Sequence, residues 1–197
     1  MEIFKTFTDD QLVESYVQGS GEAFDELLAR YQEKLFTYIL YNVHNEDVAN
    51  DIFQETFTRA IMTIRQGRYT ATGKFYSWLV RIARNQIIDQ FRQVRNENVV
   101  SNDEADYDLF NNVALADQSV ETQIVNEQTF CDVRRLMEHL PESQREVVFL
   151  RFFQDMSFKE IAETTGVGIN TALGRMRYAV LNMRKMAEDN NIPLVVA

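Results

Sequence analysis

Two prolines and seven glycines in 197 residues leave few places where a helix must stop, since proline removes a backbone donor and glycine carries the largest backbone entropy. Between them run long stretches rich in Leu, Ala, Glu, Gln and Arg, side chains that lose little freedom in a helix. The chain is therefore expected to be all-α. Hydrophobic residues at 45% and charged residues at 25% allow a packed core and exclude a wholly disordered chain. A length of 197 residues suits one or two domains.

Charge is unevenly spread. The formal net charge of −10, taken as an average, opposes nucleic-acid binding, because Lys and Arg must neutralise phosphates. Yet residues 65–95 carry Arg65, Arg68, Lys74, Arg81, Arg84, Arg92 and Arg95 against one acid, Asp89. Residues 1–64 hold twelve acids and four bases, 96–129 hold eight acids and no base, and 130–197 balance nine against nine. A basic helical module followed by an acidic tether accounts for this, although a solvated basic helix face also fits the run by itself. The stretch from Asn96 to Ser119 lacks sustained helical periodicity and is rich in Asn, Asp and Ser, as a flexible linker would be. The expected organisation is a helical domain over 1–95, an acidic flexible linker over 96–125 and a second helical domain over 126–190.

Thr8 to Gln11 fits a capping box that opens a first helix. After Ser20, Phe24, Leu27, Leu28, Tyr31, Leu35, Tyr38 and Ile39 recur at spacings of three and four and make one apolar stripe. A third helix starts near Asn45, has Glu46 and Asp47 where the dipole favours acids, and buries Val48, Ile52, Phe53, Thr56, Phe57, Ala60 and Ile64. The loop from Gly67 to Lys74 leads to a fourth, with apolar positions Phe75, Leu79, Ile82, Ala83, Ile88 and Phe91. Four such helices can enclose one core. Beyond the linker, 126–139 reads as a helix carrying Val133, Leu136 and Met137, and Pro141 marks the start of another. Ser157 to Glu160 is a second capping box opening a short helix, and Val167 to Asn170 turns into a longer one. This is the pattern of a helix-turn-helix: Ala162 allows close approach, Gly166 supplies positive φ, and Ile161, Val167, Ala172 and Met176 fix the angle.

The outward face of the fourth helix, with Tyr76, Trp78, Arg81, Arg84, Asn85, Asp89 and Arg92, interleaves aromatics, cations and an amide. Such a mixture suits single-stranded DNA, where aromatic faces stack bases at about 1–3 kcal/mol each and guanidiniums hold phosphates. Trp78 at helical spacing also suits a packed core. In a DNA-binding helix-turn-helix the start of the second helix reaches the major groove. Asn170, Thr171, Leu173, Gly174, Arg177 and Tyr178 are thus candidate contacts, with Arg175, Arg184 and Lys185 available for phosphates. The same motif also occurs in purely structural bundles.

Together these residues resemble the small alternative sigma factors of the extracytoplasmic-function group of the sigma-70 family, over most of the chain. The run from Asp47 to Phe57 is similar to the part of region 2 that grips the clamp helices of the polymerase β′ subunit, which implies contacts by Asp47, Asp51, Gln54, Glu55 and Phe57. The run from Phe75 to Asn85 resembles the segment that melts and reads the minus-ten element. It implies DNA contacts by Lys74, Tyr76, Trp78, Arg81, Arg84, Asn85 and Arg92, with Asn85 and the loop from Thr70 to Lys74 helping to hold a flipped non-template base. Leu140 to Val147 and the helix-turn-helix resemble region 4. That implies docking on the polymerase β flap and duplex minus-thirty-five contacts by Asn170, Thr171, Leu173, Gly174, Arg175, Arg177 and Tyr178.

The resemblance further implies core RNA polymerase, promoter DNA and an anti-sigma factor as partners, no cofactor and no catalytic residue. The acidic linker would stand in for the larger middle domain of housekeeping sigma factors and run through the basic RNA exit path. Two positions depart from the commonest pattern: Leu173 stands where many relatives place a basic residue, and Gly168 replaces a frequent Ser.

Other classes fit less well. A lone Cys131 forms no internal disulfide, which suits a cytoplasmic chain. No apolar run approaches the roughly 18 residues of a spanning helix, and the first residues lack the features of a signal peptide, so no membrane insertion is expected. His44 and His139 lie far apart, and neither a glycine-rich phosphate loop nor an H-E-x-x-H motif occurs, so an enzyme is not expected. The alternative is a stand-alone helix-turn-helix regulator binding duplex DNA without polymerase. A two-component version would need a βα-alternating domain, a pattern missing from the first ninety residues.

Overall fold

The computed structural model describes residues 3–98, 133–190 and 192, and every regular element among them is helical. A 3-10 turn, Ile3–Thr6, precedes α1 (Asp9–Val17), α2 (Gly21–Val43), α3 (Glu46–Arg65) and α4 (Phe75–Asn98). A helical segment over 133–138 is followed by α5 (Glu142–Phe152), α6 (Phe158–Thr165) and α7 (Ile169–Asp189). The chain divides between residues 106 and 107 into two compact units. Helix α4 runs through Asn98, past the expected boundary at 95; residues 99–125 of the expected linker, and 126–132 of the helix expected after it, lie outside the described residues.

In the first unit the local signals act as their chemistry dictates. The Thr8 hydroxyl accepts the Gln11 N–H at 3.3 Å while the Gln11 side chain accepts the Thr8 N–H at 2.8 Å, so two orphan donors of α1 are satisfied reciprocally. Asn45 caps α3 by accepting the Val48 N–H at 3.0 Å. The core of α2 is Ala23, Phe24, Leu27, Leu35, Tyr38 and Ile39, with Leu27, Leu35 and Ile39 each contributing about 1.5–3 kcal/mol on full burial. Leu28 and Tyr31, expected in that stripe, are only half-buried. From α3 come Ala49, Ile52, Thr56, Phe57, Ala60 and Ile64, with Val48 and Phe53 half-buried at the margin.

Helix α4 buries a face rotated from the expected one. Phe75, Leu79 and Ala83 are buried as their spacing predicts, but Val80 and Ile87 complete the stripe, whereas Ile82, Ile88 and Phe91 are half-buried. Both sets recur every three to four residues, and packing against α2 and α3 selects between them.

The start of the chain is held by one side chain. Arg30 of α2 donates to the carbonyls of Phe4, Lys5 and Phe7 at 3.0, 3.1 and 2.9 Å and pairs with Asp9 and Glu26. Its five N–H groups suit this many acceptors, which lysine could not match.

The second unit buries Leu136, Met137 and Leu140, Val147, Val148, Phe149 and Leu150, and Met156 and Ile161. The buried residues of α7 are all alanines, Ala172, Ala179 and Ala187, so α5 and α6 can approach its backbone closely. Asn182 of α7 donates to the Gln144 side chain of α5 at 2.9 Å, which fixes the two helices along their length.

Candidate nucleic-acid interface

Three surfaces carry the residues singled out from the sequence, two on the first unit and one on the second. On α3, Asp47, Asp51, Gln54 and Glu55 are exposed, and Glu55 pairs with Arg59 at 2.7 Å. Phe57 turns inward instead. It is 6% exposed and packs edge-on against Phe24 and Phe53, as its place in the apolar stripe predicts, so the polymerase contact that the resemblance implied for it is corrected to a core role. Phe57 stands at the margin of the buried stripe, three residues from buried Ala60 and also three from exposed Gln54.

On α4, Arg81, Asn85 and Arg92 are exposed and share one face with Trp78, at spacings of three, four and seven. Arg92 leans on Asp89 at 3.4 Å, an exposed pair of little energetic weight. Arg84 and Lys74 are half-buried. The expected exposed aromatics are corrected: both are half-buried in a cluster. Tyr76 stacks on Tyr31 of α2 at 4.9 Å, with the Lys34 ammonium 5.5 Å from its ring. Trp78 lies 4.6 Å from the Tyr69 ring and 5.6 Å from that of Phe75. The indole is thus immobilised by aromatic neighbours while keeping part of its surface open, the condition for a stacking platform that costs little entropy to use.

The loop before α4 is equally fixed. The Tyr69 hydroxyl and the Gly73 N–H both donate to Asp10 of α1, at 3.4 and 2.9 Å. Tyr31 donates to the neighbouring Asp9. Burial, reinforced by these carboxylates, raises both phenols above the ordinary tyrosine range, so they remain neutral donors. Neither Asp10 nor Tyr69 is singled out by the sequence, since their contact joins residues 59 apart.

In the second unit the helix-turn-helix forms as its residues predict. Ser157 and Glu160 cap α6 reciprocally, Gly166 ends it at φ 73, and the Gly166 and Val167 N–H groups both return to the Ala162 carbonyl. Gly168 then caps α7, which begins at Ile169. Asn170, Thr171, Leu173, Arg177 and Tyr178 are exposed, and Gly174 and Arg175 half-buried. Two exposed apolar side chains, Ile169 at 47% and Leu173 at 43%, follow one another up the first turns beside Asn170 and Arg177. Ile169 escapes a sequence reading because its β-branched side chain resembles a core residue. Arg184 and Lys185 add exposed cations farther along.

No helix among the described residues is long and apolar enough to cross a membrane. The model of sigma-70 region 2 matches residues 27–97, and that of sigma-70 region 4 matches 132–175. The ECF RNA polymerase sigma-E factor of Haemophilus influenzae is 30% identical over 192 residues, covering 95% of this chain and 97% of that protein. The RNA polymerase sigma-H factor of Pseudomonas aeruginosa is 30% identical over 173 residues, covering 85% and 88%. Two solved structures share the fold at 20% identity. The sigma factor RpoE from Bartonella quintana, in complex with the anti-sigma factor NepR, has a TM-score of 0.63 over 84% of this chain and 96% of that one. CnrH, in complex with the cytosolic domain of CnrY, has a TM-score of 0.62 over 93% and 99%. With region 2 bearing the α3 and α4 faces and region 4 bearing the helix-turn-helix, the chain belongs to the sigma-70 family as an alternative sigma factor of the extracytoplasmic-function group, directing promoter-specific transcription.

Proposed function

We propose a division of labour among the three surfaces. The acidic face of α3, with Asp47, Asp51, Gln54 and Glu55, docks on the β′ clamp helices of core RNA polymerase. Lys74, Arg81, Arg84 and Arg92 hold the phosphates of the melted minus-ten strand, Tyr76 and Trp78 offer ring surface to its bases, and Asn85 reads a base edge. Helix α7 enters the major groove of the minus-thirty-five element with Asn170, Thr171, Leu173, Gly174 and Arg177, while Arg175 and Tyr178 flank it at the backbone. The unit carrying α7 also docks on the β flap.

The observation that carries this reading is the exposed row Arg81, Asn85 and Arg92 continuing from a clamped Trp78. It combines phosphate, base-edge and stacking chemistry along one helix face, as single-strand capture requires. Melting then comes from trapping unstacked bases and needs no nucleotide hydrolysis. The net charge of −10 is compatible with this because polymerase supplies much of the phosphate contact. The protein acts in the cytoplasm, with polymerase, and is held inactive by an anti-sigma factor, as the RpoE and CnrH complexes suggest by analogy.

Run-off transcription with purified core polymerase on pooled genomic promoter fragments tests the reading. Defined start sites that require the protein and fade with Arg81→Ala or Asn85→Ala are expected. Duplex binding with no polymerase association and no transcripts would return the chain to the class of stand-alone regulators.

A further inference from the structure

Helix α1 contributes nothing to the three surfaces, yet its first turn holds the loop that leads into α4. That loop leaves α3 through two backbone bonds, Gly67 N–H to the Ile64 carbonyl at 2.9 Å and Arg68 N–H to the Thr63 carbonyl at 3.0 Å. Its far side is gripped by a single carboxylate. One oxygen of Asp10 accepts the Tyr69 hydroxyl at 3.4 Å and the other accepts the Gly73 N–H at 2.9 Å.

Tyr69 and Gly73 are the two feet of a three-residue arch, Thr70, Ala71 and Thr72, all exposed. The Tyr69 foot is wedged by its ring against Trp78 and Phe75. The Gly73 foot has φ +68 and open space where a Cβ would sit, so glycine serves the backbone turn and not a steric need. Among the described residues Asp10 has no other hydrogen-bond or ion-pair partner. The cap of α1 is completed by Thr8 and Gln11, and the contacts to Arg30 and Tyr31 are made by Asp9.

We propose that Asp10 is a positioning residue for reading the melted minus-ten strand: by holding both feet of the Thr70–Ala71–Thr72 arch, it presets the arch's hydroxyl and peptide groups to meet a base edge. The proposal rests on the assignment of α4 and its loop to single-strand capture. A free arch would lose the backbone entropy of three residues each time it closed on a base. An arch clamped from within the protein has lost it already on folding.

The test uses holoenzyme reconstituted from core polymerase and the full chain, probed with a randomised single-stranded DNA pool whose bound fraction is sequenced. Wild-type holoenzyme is expected to enrich a short motif. Asp10→Ala should lower enrichment at the base the arch reads by about tenfold, the scale of one charge-assisted hydrogen-bond network. It should leave the other positions, polymerase assembly and minus-thirty-five duplex binding unchanged, and speed hydrogen exchange at the Gly73 amide.

Tyr69→Phe removes one foot's hydrogen bond and keeps the ring, and should lower the same enrichment to a smaller extent. If Asp10→Ala does not fold, Tyr69→Phe decides by the enrichment alone, since it leaves the Gly73 bond to Asp10 in place. An unaltered motif alongside faster Gly73 exchange overturns the proposal, as does unaltered exchange. A uniform loss at every position, mirrored in duplex binding, overturns it too, since it reduces Asp10 to a support for folding. A wild-type holoenzyme that initiates at defined sites but enriches no motif would instead sink single-strand reading itself, and the clamp's purpose with it.

Discussion

Gln86 of α4 donates its side-chain amide to the Thr56 hydroxyl of α3 at 2.9 Å, and Thr56 in turn donates to the Ile52 carbonyl at 2.7 Å. Both side chains are buried, so this relay joins the helix bearing the acidic face to the helix bearing the exposed Arg81, Asn85 and Arg92 row through the core. Thr56→Val keeps the shape but leaves the Gln86 amide without its acceptor, and should destabilise the protein by about 1–3 kcal/mol. Adding Gln86→Leu should restore much of that loss, because a polar pair replaced by apolar groups costs less than one orphaned partner. Urea unfolding of the single and double variants measures both.

Arg81 and Asn85 should fail in different ways. Arg81→Ala removes a phosphate contact and is expected to weaken single-strand binding evenly across sequences, reducing the salt slope by about 0.7. Asn85→Ala should leave the slope intact and relax preference at one base, by about 1–3 kcal/mol of discrimination if the amide pairs with two base atoms. Binding isotherms of holoenzyme over a salt series separate the two.

Gly174 lies inside α7, and a Cβ built there meets nothing within 4 Å. Interior glycine costs about 0.5–1 kcal/mol relative to alanine, and no packing within the protein demands it. Gly174→Ala is expected to raise thermal stability while weakening minus-thirty-five duplex binding, since the added methyl stands between helix and groove. A variant that is both more stable and equally tight would remove Gly174 from the interface.

Leu173 and Ile169 present bare apolar surface where a major-groove helix meets bases, and thymine offers its methyl group there. Replacing thymine by deoxyuridine throughout the minus-thirty-five element should weaken wild-type binding roughly fourfold for each methyl buried, following about 0.8 kcal/mol per methylene-sized group. Leu173→Ala should narrow the difference between the two duplexes, leaving only what Ile169 contributes.

Stability should fall at alkaline pH because of two phenols. Burial first, then Asp9 for Tyr31 and Asp10 for Tyr69, raises both above the unfolded value, which is about 10. The folded state therefore keeps protons that the unfolded chain releases. The stabilisation is complete below about pH 10 and is lost as pH climbs through the raised folded values. Tyr69→Phe should flatten this alkaline limb, as read from urea midpoints between neutral and alkaline pH.

The parts of this molecule that were legible in its sequence are those written locally. The Thr8–Gln11 and Ser157–Glu160 boxes and the Gly166 turn involve residues close in the chain, and their geometry follows from the residue types alone. Two apolar seams competed on α4, and the choice of Val80 and Ile87 over Ile88 and Phe91 depends on neighbours distant in sequence. Tyr76 and Trp78 were legible as functional candidates but not as members of a cluster, because Tyr31 and Tyr69 reach them from other elements. The burial of Phe57 was legible from its place in the apolar stripe, while the polymerase contact came only from the resemblance of the whole stretch, which does not sort inward from outward residues.

Arg30 redraws the border of region 2. The sigma-70 region 2 match begins at residue 27, just after the last of the groups this guanidinium holds, namely Phe4, Lys5, Phe7, Asp9 and Glu26. A chimaera spliced at that border would set the arginine against another protein's residues in place of the Asp9 and Glu26 carboxylates, and leave Tyr69 without Asp10. The transferable module starts at the 3-10 turn, and a swap of promoter specificity between relatives has to move those first helical turns together with the helices proposed to meet DNA.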